Sequence, residues 1–401
     1  MTTTAQKSSF NSSNLWTGLL AILALVGVVC WVLQLTVGLQ LTHLNDINMW
    51  GLYIVGFMIF TGVAAGSLFF TSVPYLFHLD QYKQYTRISA YTGAVSSIVA
   101  AGLFIIVDIG HPDRVWELIL RSHLTSPMFW DFLMLSAYMV LSIIFTRQLI
   151  LVHNGNKEEK SLKPIAVISL IAGILVIVTS FVFAMQIARP MWNTPVEPVS
   201  FLIVALIAAL AVLSLIYLVL DRSGYLKMPA ELLTPIAKAM AGLVAVESII
   251  ILVEVLTGLY PGGGEHYEKM HWLVMGKGAA GFWIEVAALI GALILLSRKE
   301  IGRKAGMFAG GIILTLIAVY LIKSNLLQAE LFNPLINYPW ANMTTTMGPY
   351  IPSWLEIGLS AGIVALGILL LRLGLKVLDL GANSPQINKK IAARNNMQTG
   401  K

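Results

Sequence analysis

The chain has 401 residues, of which 57% are hydrophobic and only 11% charged. A water-soluble domain usually carries about a quarter charged residues, so the composition excludes an ordinary soluble enzyme; helices surrounded by lipid and by one another account for the deficit. The net charge of +6 is spread over short loops with no basic domain, which argues against a nucleic-acid partner and for positive loops on one membrane face.

Crossing the hydrocarbon core takes about 20 apolar residues in a helix. Residues 1–14 form a polar tail rich in Ser, Thr and Asn. The apolar run after it has no small-residue cleavage site behind it, so it reads as a retained helix and not as a signal peptide. Ten spans are predicted, at roughly 15–37, 49–77, 88–109, 127–150, 164–187, 199–220, 230–258, 272–297, 305–323 and 353–377. The second and seventh are long enough to tilt or project. The fold class expected is an all-α, polytopic integral membrane protein, with a transmembrane domain over 15–377 and a second tail over 378–401.

Ten crossings put both termini on one side. That side holds nineteen Lys and Arg residues, against five in the opposite loops: Arg114, Arg121, Arg189, Lys269 and Lys323. Lys238 and Lys277 fall within helices. The positive-inside rule then places both termini in the cytoplasm, in a multi-pass protein of the cell inner membrane whose partners include its lipid. The opposite, outer loops are the longer and more patterned ones. They carry DIGHPDRVW (108–116), ARPMWNTPVEP (188–198), PGGGEHYEKMHW (261–272) and the segment 324–352. Loops of that kind carry function or bind partners, so the active face is expected to be the outer one.

The seven histidines are His43, His78, His111, His123, His153, His266 and His271, none in the middle of a predicted helix. A membrane b-type haem needs axial histidines that project into a helix bundle, so no haem is expected in this chain. The one cysteine, Cys30, cannot hold an iron–sulfur cluster or form an intrachain disulfide. His266, His271, Glu265 and Glu268 read as a solvated polar loop, with a metal site as the alternative; no metal is expected.

The segment NDINMWGLYIVGFMIFTGVAAGSLFF (45–70) opens on polar residues and the interfacial Trp50, and Gly62 and Gly66 form a close-packing GxxxG. Asn45, Asp46 and Asn48 either pack or line a binding site at the outer edge of the helix. The segment 108–131 is the densest polar cluster, with Asp108, His111, Asp113, Arg114 and His123. Ser126 is the expected N-cap of the fourth helix, with Pro127 at its first position. Asp131 then lies about a turn inside, as a dipole partner or as a proton-handling group. Glu247 and Glu254, seven apart, share one face of the seventh helix, and Lys277 and Glu285 share one of the eighth. Carboxylates there are functional candidates by default, with charge pairing as the structural alternative.

At these residues the chain resembles the NrfD family, the quinone-reactive membrane subunits typified by polysulfide reductase. The likeness rests on W-G-L-Y-I with its glycine-rich helix (50–66), on D-I-G-H-P-D-R (108–114) followed by S-P-M-F-W-D (126–131), and on A-R-P-M-W-N-T-P (188–195), in that order along most of the chain. The resemblance implies two four-helix bundles, helices 2–5 and 6–9, flanked by the terminal helices. It implies no prosthetic group, a quinone (menaquinone or ubiquinone) as substrate, and a site near the outer face. An iron–sulfur (ferredoxin-like) subunit would dock there, with a molybdopterin enzyme or multihaem cytochrome c beyond. The head group would rest near residues 45–49 and Trp50, with Asp108, His111, Arg114, His123 and Asp131, while Glu247 and Glu254 handle protons. A secondary or proton transporter and a passive membrane anchor are the rival readings. A transporter would often show inverted repeats or helices broken near the midplane, and neither is expected here because proline clusters at helix ends.

Overall fold

The computed structural model describes residues 14–45, 47–332, 350–378 and 380–381. Most of both expected tails, and Asp46, lie outside the described residues. Among the described residues there is no strand. Among the same residues, ten helices are long and apolar enough to span a membrane: α1 Leu15–Val37, α2 Leu52–Leu76, α3 Asp80–Asp108, α4 Pro127–His153, α5 Glu159–Ala184, α6 Glu197–Arg222, α7 Ala230–Leu259, α8 Ala279–Leu296, α9 Ala305–Leu331 and α10 Trp354–Val377. The chain is a multi-pass integral membrane protein. Helices are the open solution in lipid because each backbone N–H and C=O finds its partner within the segment.

Helices α2–α5 pack as one four-helix bundle and α6–α9 as a second; α1 pairs with α10 along the flank of α2 and α3. The bundles meet where α2 lies on α6, and small residues set that approach. The Gly62 backbone faces Ala205, and Gly66 faces Ala209 across the same seam, so the GxxxG packs against a matching pair of alanines four residues apart. Gly27 and Gly362 likewise bring α1 and α10 into backbone contact.

The helix ends differ from the sequence expectation in three places. First, α9 continues to Leu331, so Lys323 is buried within it and not in a loop. The run Ser324, Asn325, Gln328 looks like a loop in sequence, yet it is a polar face turned into a bundle. Second, Glu265–Val274 is a separate short helix beside the membrane domain, and α8 starts only at Ala279. Lys277 therefore sits in an exposed turn, not on the face of Glu285. The two lysines exchange places, which leaves the charge tally unchanged. Third, two spans are interrupted. Ile98–Phe104 in α3 is π-helical, and α5 is broken at Leu175–Val176, where Val178 and Thr179 bond back three residues instead of four. Neither interruption carries a proline, so proline spacing gave no sign of them. At α4, Ser126 has the extended conformation of an N-cap and Pro127 follows at the first position, but the Ser126 hydroxyl closes no cap bond.

One end of the molecule, here the loop face, gathers the segments 38–51, 109–126, 185–196 and 260–278. The terminal face carries the start of α1 and the end of α10.

Candidate functional site

The segment before α2 is a tight turn held by its own side chain. Asn45 Oδ1 accepts from the backbone N–H of Ile47 at 3.0 Å and of Asn48 at 2.9 Å, and Asn45 N–H donates to the Asn48 carbonyl at 3.1 Å. This is the Asx chemistry that suits Asn to turns. The turn delivers Trp50, which stacks on Trp192 at 5.5 Å between centroids and meets Phe183 edge-on at 5.6 Å. Asn48 is buried beside it, while Asn45 is exposed.

Asp131 lies a turn inside α4 and is only 7% exposed. Its Oδ1 has no hydrogen-bond partner. The Thr179 hydroxyl of α5 faces the carboxyl but stays outside hydrogen-bond geometry, and it too is buried and unpartnered. Thr179 and Phe183 are four residues apart on one helix face, so the aromatic cluster and Asp131 are neighbours at the loop-face end of the first bundle. Tyr138, two turns along α4, adds a third buried unpartnered oxygen.

Asp108 belongs to a different group. It ends α3 on the α1–α10 flank, with Tyr53 and Glu356 as its charged or polar neighbours. Tyr53 donates to Gln34 Oε1 at 2.8 Å, and Gln34 Nε2 donates to the Val107 carbonyl at 2.7 Å. Glu356 closes a capping box with Ser353 at the start of α10 and also accepts from the His43 backbone N–H at 3.0 Å and from the Tyr350 hydroxyl. His111, Arg114 and His123 are exposed on the loop face. His111 Nδ1 is 3.8 Å from Asp113. Asn48 and Trp50 thus sit in the turn before α2, Asp131 faces Thr179, one helical turn from Phe183 of the aromatic cluster, and Asp108 lies on a separate flank.

The second bundle, with the 191–196 segment and the 265–274 helix, lines a partly open cavity of about 250 Å³ near the loop face. Four glutamates line or surround it: Glu197 from α6, Glu247 and Glu254 from α7, and Glu285 from α8. The Ser200 hydroxyl donates to Glu247 Oε1 at 2.7 Å, and Asn325 Nδ2 donates to Glu285 Oε2 at 2.7 Å. Glu247 is 1% exposed and its Oε2 has no partner. The cation facing these acids is Lys323, not Lys277. Glu197, Ser200, Lys323, Asn325 and Thr179 did not stand out in the sequence. Continuing the ninth helix through its polar face would have found Lys323 and Asn325. The threonine and serine carried no signal among many others.

The loop-face segments are tied down by Glu330, fully buried at the end of α9. It accepts from Lys269 Nζ at 2.5 Å and from the Met191 backbone N–H at 2.5 Å, and its carbonyl accepts from Arg189 at 2.8 Å. Lys269 also meets Glu265 at 2.9 Å, so the 265–274 helix is anchored and not simply solvated.

Two packed four-helix bundles with buried acids at one end define a polytopic helical membrane protein built around intramembrane polar sites. The chain belongs to the NrfD polysulphide reductase family, whose model matches residues 39–332. It is 28% identical to a Halobacterium salinarum protein named as a dimethyl sulfoxide reductase membrane subunit, over 92% of each chain. It is 24% identical to a selenate reductase subunit of Mesobacillus selenatarsenatis, over 92% of this chain and 95% of that one. It is 25% identical to the Hdr-like menaquinol oxidoreductase integral membrane subunit of Archaeoglobus fulgidus, over 90% of this chain and 92% of that one.

Proposed function

We propose that this chain is the quinone-reactive membrane subunit of a respiratory oxidoreductase complex in the cell inner membrane, with the loop face outside. Its substrate is menaquinone or ubiquinone. Electrons pass between the quinone and an iron–sulfur (ferredoxin-like) subunit docked on the loop face, with a molybdopterin enzyme or multihaem cytochrome c beyond it. Similarity to subunits named for dimethyl sulfoxide reductase, selenate reductase and a menaquinol oxidoreductase supports the class.

The observation that carries the reading is Asp131. A carboxyl group buried at membrane depth with one oxygen unpartnered is costly and functional by default. Its neighbour Thr179 is one helical turn from Phe183 of the Trp50–Phe183–Trp192 cluster, a setting suited to a flat, hydrogen-bonding head group. Oxidising one quinol delivers two electrons to the partner and two protons to the protein; reducing a quinone reverses that balance. The quinone supplies the redox chemistry, and the protein supplies position and electrostatics. Asp131 takes or returns a head-group proton, Asn48 and Thr179 orient the ring oxygens, and the indole rings form the wall.

The test is Asp131→Asn in the purified complex. Quinone-linked turnover falls at least about tenfold, a loss of about 1.4 kcal/mol in transition-state stabilisation, while assembly is intact. Wild-type turnover in the fully assembled variant removes Asp131 from the site.

A further inference from the structure

Asp131 and the acid cavity occupy different bundles, and one lysine stands between them. Lys323 is 3% exposed, and its Nζ makes no hydrogen bond. The ammonium rests 3.3 Å from the centre of the Phe201 ring. One side of Lys323 faces Glu197, Glu247, Glu254 and Glu285. The other side borders a void of about 10 Å³ at the seam of the bundles, lined also by Thr61 of α2 and Thr179 of α5. Thr61 is 1% exposed and Thr179 2%, and both hydroxyls lack a partner. A void of that size is close to the smallest that holds a water molecule, and buried waters typically make about three hydrogen bonds to groups otherwise unsatisfied. Here three such groups, from three helices, surround one void.

We propose that the void binds one water, and that Thr179, this water, Thr61 and Lys323 form a proton link from Asp131 to the acid cavity. The link rests on reading Asp131 as the group that accepts a quinol proton. A rotation of the Thr179 side chain closes its hydrogen bond to Asp131; the proton on Asp131 then passes to the hydroxyl, which releases its own to the water. The water passes one to the Thr61 hydroxyl, which releases its own to Lys323. Lys323 first gives a proton to Glu247 or Glu285 and then regains one from Thr61, so every relay group ends as it began. The cavity then discharges towards the loop face, where His266 lines its rim. No electron moves in this sequence. Four carboxyl groups around a single ammonium give the cavity more than one protonation state, which a relay needs and a static charge pair does not.

The competing role for Lys323 is charge neutralisation alone, and the two roles separate by substitution. Arginine keeps the charge but does not deprotonate in proteins. The experiment uses the assembled complex with a short-chain menaquinol analogue as reductant. It reads turnover, the solvent deuterium isotope effect and quinol KM for Thr61→Val, Lys323→Gln and Lys323→Arg. In all three, turnover is expected to fall about tenfold and the isotope effect to rise, with KM within about twofold of wild type. Full turnover in Lys323→Arg, or wild-type turnover and isotope effect in Thr61→Val, overturns the link while leaving the quinone reading in place. If the lysine variants do not assemble, Thr61→Val decides alone. A wild-type complex that does not oxidise the quinol overturns the reading of Asp131, and the link falls with it.

Discussion

The Lys269 ammonium lies 2.5 Å from Glu330 Oε2, with both side chains buried at the loop face. Arg189 completes the group, its guanidinium 4.0 Å from the same oxygen and stacked 5.7 Å from Trp192. Removing one partner of a buried ion pair strands the others and costs about 3–5 kcal/mol. Glu330→Ala should therefore lower the thermal midpoint of the detergent-solubilised protein markedly. Glu265→Ala, at an exposed partner of the same lysine, should cost about 1 kcal/mol or less. Equal effects would show that Glu330 is not the anchor.

The seam between the bundles makes a steric prediction. A Cβ on Gly66 would run into Ala209 and the Ala205 backbone, so Gly66→Val should destabilise by about 1–3 kcal/mol or force the bundles apart. Gly242, where a Cβ meets nothing within 4 Å, should tolerate alanine. Thermal midpoints of the two variants check the contrast.

His266 gives the protein a sensitivity to acid. Burial, and after it the Lys269 ammonium, hold its imidazolium below the ordinary histidine value of 6.5. The unfolded chain then binds the proton first. The contribution of the neutral ring to stability is present above pH 6.5 and is lost as pH falls through the lowered folded value. Between about pH 7 and 5 the thermal midpoint of wild type should fall further than that of His266→Gln. Parallel curves would show that the ring titrates freely.

The charge asymmetry makes a prediction about topology. Cysteines placed at Asn156 and at Gly263, both exposed and on opposite faces, should react with an impermeant thiol reagent from opposite sides, Gly263→Cys from outside. The native Cys30 is buried in α1 and should stay silent. Labelling of both from outside rejects cytoplasmic termini.

The histidines predict a spectrum. Of the seven, His153 alone falls in a spanning helix, at its last residue. The isolated chain should show no Soret band, and a stoichiometric b-haem spectrum would refute that.

The sequence by itself determined the ten spans and the family, because lipid admits few backbone solutions and each span must be long and apolar. It also marked Asp131, Glu247 and Glu254, since carboxyl groups at membrane depth stand out against so apolar a background. Only the tertiary structure decided which groups meet. Asp108 is twenty-three residues from Asp131 in the chain, yet the two face different flanks of one bundle, and α9 runs on past Lys323 because its polar face is covered by neighbouring helices. Helical periodicity says which residues share a face. Which partner covers that face depends on how glycine and alanine seams let the bundles approach, and that is a property of contacts far apart in sequence.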